Sequence, residues 1–151
     1  VTTAVPEIYR NAVVSHIMLD GAADAIDFYV RAFGAKELFR LDGPDGRIVH
    51  AEISVQGSTL MLGDADGPYF TAPSTAGATT AGLHVFVPDV DALTRRATEA
   101  GAELLQPPAD QFHGDRTAIL RDPFGHVWVF LTHLEDLTPQ ELARRAQNLR
   151  A

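Results

Sequence analysis

Cysteine is absent from this chain of 151 residues, which excludes thiolate metal sites, cysteine nucleophiles and disulfide frameworks together. The remaining chemistry rests on histidines and carboxylates. His16 and His84 each open a short apolar stretch, His16-Ile17-Met18-Leu19 and His84-Val85-Phe86-Val87. Two imidazoles in matching places suit a transition metal, for which neutral His is the commonest ligand. Two donors are too few for a complete site, and the same pair suits hydrogen bonding in a pocket. His50 and Glu52 stand two residues apart within 48–55, which places both on one side of a strand. There Glu52 can join His16 and His84 as the carboxylate of a two-histidine metal site, with His50 able to replace one imidazole. Alternatively, His50 and Glu52 pair by hydrogen bond and grip a polar group of a ligand. The chain has no nucleophile elbow, phosphate loop or dinucleotide glycine pattern, so serine hydrolase, nucleotide hydrolase and nicotinamide readings have no support. Asp64-Ala65-Asp66-Gly67 begins like a calcium loop, lacks the terminal Glu and reads as a turn.

The elements that position these groups occur twice. His16 to His84 is an interval of 68 residues, Gly57 to Gly125 is again 68, and Gly34 to Gly101 is 67. The first copy reads as a strand over 13–19, a helix over 22–33 with apolar residues at helical spacing, and strands over 37–41, 48–55 and 58–62. The second reads as a strand over 82–87, a helix over 90–100 behind the capping Asp89, and strands over 103–106, 116–121 and 126–131. Gly34 and Gly101 end the helices, because only glycine enters the left-handed cap without steric cost. The order βαβββ, repeated, predicts an α+β fold: one domain over 1–151 in which two βαβββ modules, 13–63 and 82–135, form a cupped mixed sheet with helices on the other face. Residues 64–81 form the linker. Thr138-Pro139-Gln140-Glu141 is a capping box with proline in the first turn, predicting a helix over 139–150 that packs across the module or on a second subunit.

Alternation assigns the faces. Val49, Ala51, Ile53 and Val55 are expected against the helices, and His50, Glu52, Ser54 and Gln56 in the cup. A two-residue hairpin at Gln56-Gly57 pairs Ser54 with Thr59 and Glu52 with Met61, bringing Met61 to the cup. Adding 68 sends Met61 to Val129, Glu52 to Leu120 and His50 to Ala118, so the second half of the cup reads as apolar. Met18 and Met61 give it a deformable wall. Phe86, two residues beyond His84, and Phe112 with His113 at the rim are expected to meet a planar guest, with Phe39 a further candidate. Trp128 and Phe130 point by parity into the core. Asp115-Arg116 and Arg121-Asp122 read as surface ion pairs.

Composition narrows the partners. With 46% hydrophobic and 21% charged residues the chain is globular rather than disordered. Its net charge of −8 repels phosphate backbones and anionic lipid, so neither nucleic acid nor membrane is an expected partner. The longest apolar run, Val127 to Leu131, is far below the roughly 18 residues of a membrane span. No basic start leads into an apolar core, so a cytoplasmic location is expected.

His16, Asp27-Phe28-Tyr29, Phe33-Gly34-Ala35, His84, Gly114-Asp115-Arg116 and above all Asp122-Pro123-Phe124-Gly125-His126-Val127-Trp128 carry a resemblance. The chain is similar to the vicinal oxygen chelate superfamily of glyoxalases, bleomycin-resistance proteins and extradiol dioxygenases, and most to its PhnB-like branch, over residues 13–133. The resemblance implies four metal-ligand positions, typically His, Glu, His and Glu, which fall on His16, Met61, His84 and Val129. Both carboxylates are replaced, and Met and Val offer no hard oxygen donor. The expected function is therefore a homodimeric, metal-free binding protein of the bleomycin-resistance type with no cofactor. It would sequester a largely apolar or aromatic molecule among His16, Met18, His50, Glu52, Met61, His84, Phe86, Phe112 and Val129. The alternative is a divalent-metal enzyme, a glyoxalase-like lyase or isomerase or a dioxygenase, using His16, His84 and Glu52.

Overall fold

A computed structural model describes residues 4–149. It is an α+β fold with two four-stranded mixed sheets. The first is ordered β1-β4-β3-β2 from β1 (His16–Leu19), β2 (Lys36–Asp42), β3 (Ile48–Val55) and β4 (Ser58–Asp64). The second is ordered β5-β8-β7-β6 from β5 (Gly82–Phe86), β6 (Glu103–Asp110), β7 (Asp115–Arg121) and β8 (Val127–His133). In each, the first strand of the repeat pairs parallel with the last and the other pairings are antiparallel. The helices are α1 (Ala22–Phe33), a single turn α2 (Pro73–Ala76), α3 (Val90–Ala100) and α4 (Pro139–Gln147), with a 3-10 turn at Glu7–Tyr9. No helix among the described residues is long and apolar enough to cross a membrane.

Several expected boundaries move. The first strand begins at His16 rather than Val13, whose side chain is fully exposed. β6 runs on through Pro107 and Pro108 to Asp110, tolerated because β6 is an edge strand whose outer N–H groups have no ladder partner to lose. The linker 64–81 contains α2, and the last helix ends at Gln147. Half of the expected capping box forms: Thr138 accepts from the Glu141 N–H at 3.2 Å, while the Glu141 carboxylate turns to Arg144 and Arg145.

Side chains of both halves meet in one core. Phe33 of α1 lies 4.7 Å from Trp128 and 4.9 Å from Phe130 of β8, ring centre to ring centre. Trp128 and Phe130 are 1% and 0% exposed, as parity predicts, and burying a Phe-sized side chain contributes roughly 1.5–3 kcal/mol. The helices also join directly, because the Arg96 guanidinium of α3 donates to the Arg31 and Val30 carbonyls at the end of α1, at 2.6 and 3.2 Å.

The turn motif of the second half is a buried staple. Asp122 is 3% exposed, not the surface ion pair expected of Arg121-Asp122. One carboxylate oxygen accepts from the Tyr29 hydroxyl at 2.6 Å and the Trp128 indole N–H at 2.9 Å. The other accepts from the Phe124 and His126 N–H groups at 2.9 and 3.0 Å. Burial, then the charge and hydrogen bond of Asp122, hold the Tyr29 hydroxyl well above its usual pKa, so it remains a donor. His126 Nε2 donates to the Met18 carbonyl at 2.8 Å, tying this turn to β1. Arg121 pairs instead with Glu103 at the surface, and Arg116 with Asp91 and Asp110.

Candidate functional site

Each sheet has one face packed on the helices and one face free of them. On the first sheet the expected hairpin register holds, with Glu52 opposite Met61 and Ser54 opposite Thr59. Gln56 and Gly57 both adopt positive φ, 50° and 81°, the signature of the two-residue type I′ turn. The parallel register sets His16 beside Met61. The row His16, Met61, Glu52, Phe39 therefore crosses the helix-free face, followed by Met18 beside Gly63 and His50 beside Leu41.

One departure shapes this face. Val49, expected against the helices, is 65% exposed while Ile48 is 1% exposed. The β2–β3 register skips Val49, pairing Leu41 with His50 and Asp42 with Ile48. The extra residue is a β-bulge, which turns Val49 outward and re-aims its neighbours. The bulge presses the Val49 and Ile48 carbonyl oxygens against Gly63, where a β-carbon would lie 3.0 and 3.3 Å from them. A side chain there would have to push these carbonyls aside by a few tenths of an ångström, and the space above the glycine lets the His16 and His50 rings approach across β4 to 5.4 Å.

His50 and Glu52 sit together as one of the expected alternatives has it, Nε2 to Oε1 at 3.4 Å. The other Glu52 oxygen accepts from the Tyr9 hydroxyl at 2.6 Å. Tyr9 comes from the 3-10 turn before β1, and nothing in the strand pattern points to it. His16 is solvent-accessible, yet desolvation and then the neighbouring His50 imidazole lower its pKa, favouring the neutral ring. At the end of the face a cavity of about 440 Å³ is lined by His16, Met18, Val49, Asp64, Asp66 and Phe70. Asp64, expected in a plain turn, caps α1. It accepts from the Gly21 and Ala22 N–H groups at 2.9 and 3.0 Å and from Ile48 N–H at 2.7 Å. Burial pushes its pKa up, but these N–H groups and Arg47 more than offset that and hold it below the usual 3.8.

On the second sheet His84 pairs with Val129, matching His16 with Met61. The expected continuation to Leu120 and Ala118 does not hold: both are 0% exposed in the core. Opposite Val129 stands Ile119. The reason is one residue in a turn. Val55 and Ser58 close the first hairpin around two residues, whereas Asp122 N–H bonds the His126 carbonyl around three. The interval upstream drops from 68 to 67 and every β7 side chain changes face. Phe86 is 58% exposed beside His84, and both line a second groove of about 400 Å³. Phe112 turns elsewhere, packing edge-on against His113 at 5.3 Å and offering its carbonyl to Arg145 of α4.

His16 and His84 thus line different cavities of one chain, not the shared site that symmetry suggested. The His16, His84 and Glu52 set is not assembled within it, and among the described residues no group of three or more His, Cys, Asp or Glu side chains is placed to hold a metal ion. The donor chemistry also does not fit the metal that the fold implies, because a thioether and an isopropyl group stand beside the two imidazoles.

Comparison with known proteins agrees with this architecture. Residues 13–130 match the model of the Glyoxalase/Bleomycin resistance protein/Dioxygenase superfamily. An uncharacterized protein of Mycobacterium bovis is 45% identical over 122 residues, 78% of this chain and 80% of that protein. The crystal structure of TioX from Micromonospora sp. ML1 superposes with a TM-score of 0.65 at 32% identity, covering 84% of this chain and 99% of TioX. The fosfomycin resistance protein FosX from Listeria monocytogenes, at 16% identity, shares the fold with a TM-score of 0.61 over 87% of this chain and 96% of its own.

Proposed function

Since this chain belongs to the Glyoxalase/Bleomycin resistance protein/Dioxygenase superfamily, we propose that it is a binding protein of the bleomycin-resistance type, sequestering a small, largely apolar or aromatic molecule without a metal ion. The observation that carries this reading is the residue pair at each strand junction, His16 with Met61 and His84 with Val129. These pairs put a thioether and an isopropyl group beside the imidazoles and leave only a few polar anchors, His16, His50 and Glu52 on one sheet and His84 on the other. Apolar walls with sparse, directed polar groups are the composition of small-molecule sites.

The binding unit is a homodimer. Phe39, Leu41 and Val49 on the first sheet and Phe86 on the second are 45–65% exposed, and contiguous exposed apolar surface marks an interaction site. A second copy laid with its His84 face over the His16 face covers these side chains and joins two half-sites into one cup, twice per dimer. Calorimetry with a panel of planar natural products in chelator-treated buffer, alongside light scattering for oligomeric state, tests both parts. Metal-independent binding by a dimer is expected. Binding that appears only on adding a divalent ion, with near-stoichiometric metal lost in His84→Ala, overturns the metal-free reading in favour of a metal enzyme.

A further inference from the structure

The cavity at the end of the first sheet carries charge of one sign. We propose that the molecule bound there is a cation, an amine whose hydrocarbon or aromatic body lies on Met18 and Val49 and whose ammonium group meets the Asp66 carboxylate and the Phe70 ring. This rests on the reading of the same face as a ligand site and adds the sign of the ligand's charge.

The lining consists of His16, Met18, Val49, Asp64, Asp66 and Phe70, with neither Lys nor Arg. Its two carboxylates differ in availability. Asp64 has both oxygens engaged by three backbone N–H groups. Asp66 is exposed and has no ion-pair or hydrogen-bond partner. The neighbouring guanidinium, Arg47, donates to the Ala65 carbonyl at 2.6 Å and acts on Asp64. Phe70 is 57% exposed, and an aromatic face attracts an ammonium group through its quadrupole. Two aspartates alone would make only an acidic patch; here they rim an apolar, aromatic-walled space.

The rest of the face has the same bias. Glu52 presents a carboxylate one strand pair away, with Tyr9 and His50 as its partners. The His16 imidazole does not reverse the sign, because desolvation and then the neighbouring His50 ring disfavour its protonated form. An anionic ligand would face Asp66 and Glu52 with only Arg47 nearby, a guanidinium already engaged by the Ala65 carbonyl and Asp64. A neutral ligand would desolvate Asp66 without compensation when a second copy closes the face. At longer range the net charge of −8 raises the local concentration of cations, an effect that salt screens.

Three probes with one aromatic body test the sign: naphthylmethylamine, naphthylmethanol and naphthoate, titrated calorimetrically into the full chain at pH 7. The amine is expected to bind about tenfold more tightly than the alcohol, as an exposed ion pair and a cation–π contact together provide, and the carboxylate most weakly. The advantage should shrink as ionic strength rises from about 0.01 M to about 1 M. Asp66→Asn should reduce it to about twofold, whereas Asp24→Asn, the same charge change on an exposed position of α1, should leave it in place. Alcohol or carboxylate binding as tightly as the amine, or an amine advantage that survives Asp66→Asn, overturns the cation assignment and leaves small-molecule binding standing. Failure of all three probes to bind defeats the binding reading, and the cation assignment falls with it.

Discussion

Replacing Asp122 by alanine should strongly destabilise this protein, although the residue lines neither candidate cavity. The substitution strands four donors, the Tyr29 hydroxyl, the Trp128 indole N–H and the Phe124 and His126 amides. Hydrogen bonds to a charged acceptor contribute about 1.5–3 kcal/mol each, so a simple sum lies near 6–12 kcal/mol. Two terms reduce it: removing a buried carboxylate recovers part of its desolvation cost, and water entering the vacated space re-solvates the two amides. The net loss should be about 3–5 kcal/mol, the range for breaking a buried charge network by deleting one partner. That is much of the 5–15 kcal/mol that holds a typical domain. The chain's single tryptophan is Trp128, so urea unfolding followed by its fluorescence reads the staple directly. Wild type and variant must be compared at one protein concentration, because the apparent stability of the proposed dimer would depend on it. Tyr29→Phe removes one bond of the four and should show a smaller loss that is non-additive with Asp122→Ala. An Asp122→Ala midpoint corresponding to less than about 1 kcal/mol of lost stability, with unchanged denaturant dependence, would refute the staple.

Two further outcomes follow from the helix-free face. Gly63→Ala must displace the carbonyl oxygens 3.0 and 3.3 Å from its new methyl and should destabilise by about 1–3 kcal/mol in thermal unfolding. Gly82→Ala, whose methyl would meet only His84 at 3.8 Å, should change stability by less than about 0.5 kcal/mol. The His16 imidazole should titrate below its ordinary 6.5 in a proton NMR series and move back part of the way in His50→Asn. Because the folded-state value is lowered, His16 costs stability as pH falls through 6.5 toward that value; titration at or above 6.5 would contradict the crowding at this site.

Residues close together in the chain announce their structure most clearly. Gln56-Gly57 dictates a tight turn by backbone sterics, and the turn sets the Glu52–Met61 register. Asp89 and Thr138 announce helix starts because each side chain satisfies an amide three residues on. Tyr9, Phe70 and the Asp122 staple were illegible, since their partners lie 43 residues away, across the face, or in the other half of the molecule.

What the amino-acid order determined by itself was the doubled βαβββ plan and the replacement of two carboxylates by Met61 and Val129, because strand alternation, helix caps and repeat intervals are local or periodic. Tertiary structure decided which groups meet. A bulge at Val49 and one extra turn residue before His126 each shift parity by one, and in a strand one residue is the difference between core and site. The packing of both halves on one core likewise sends His16 and His84 into different cavities, a matter of rigid-body placement that no interval along the chain encodes.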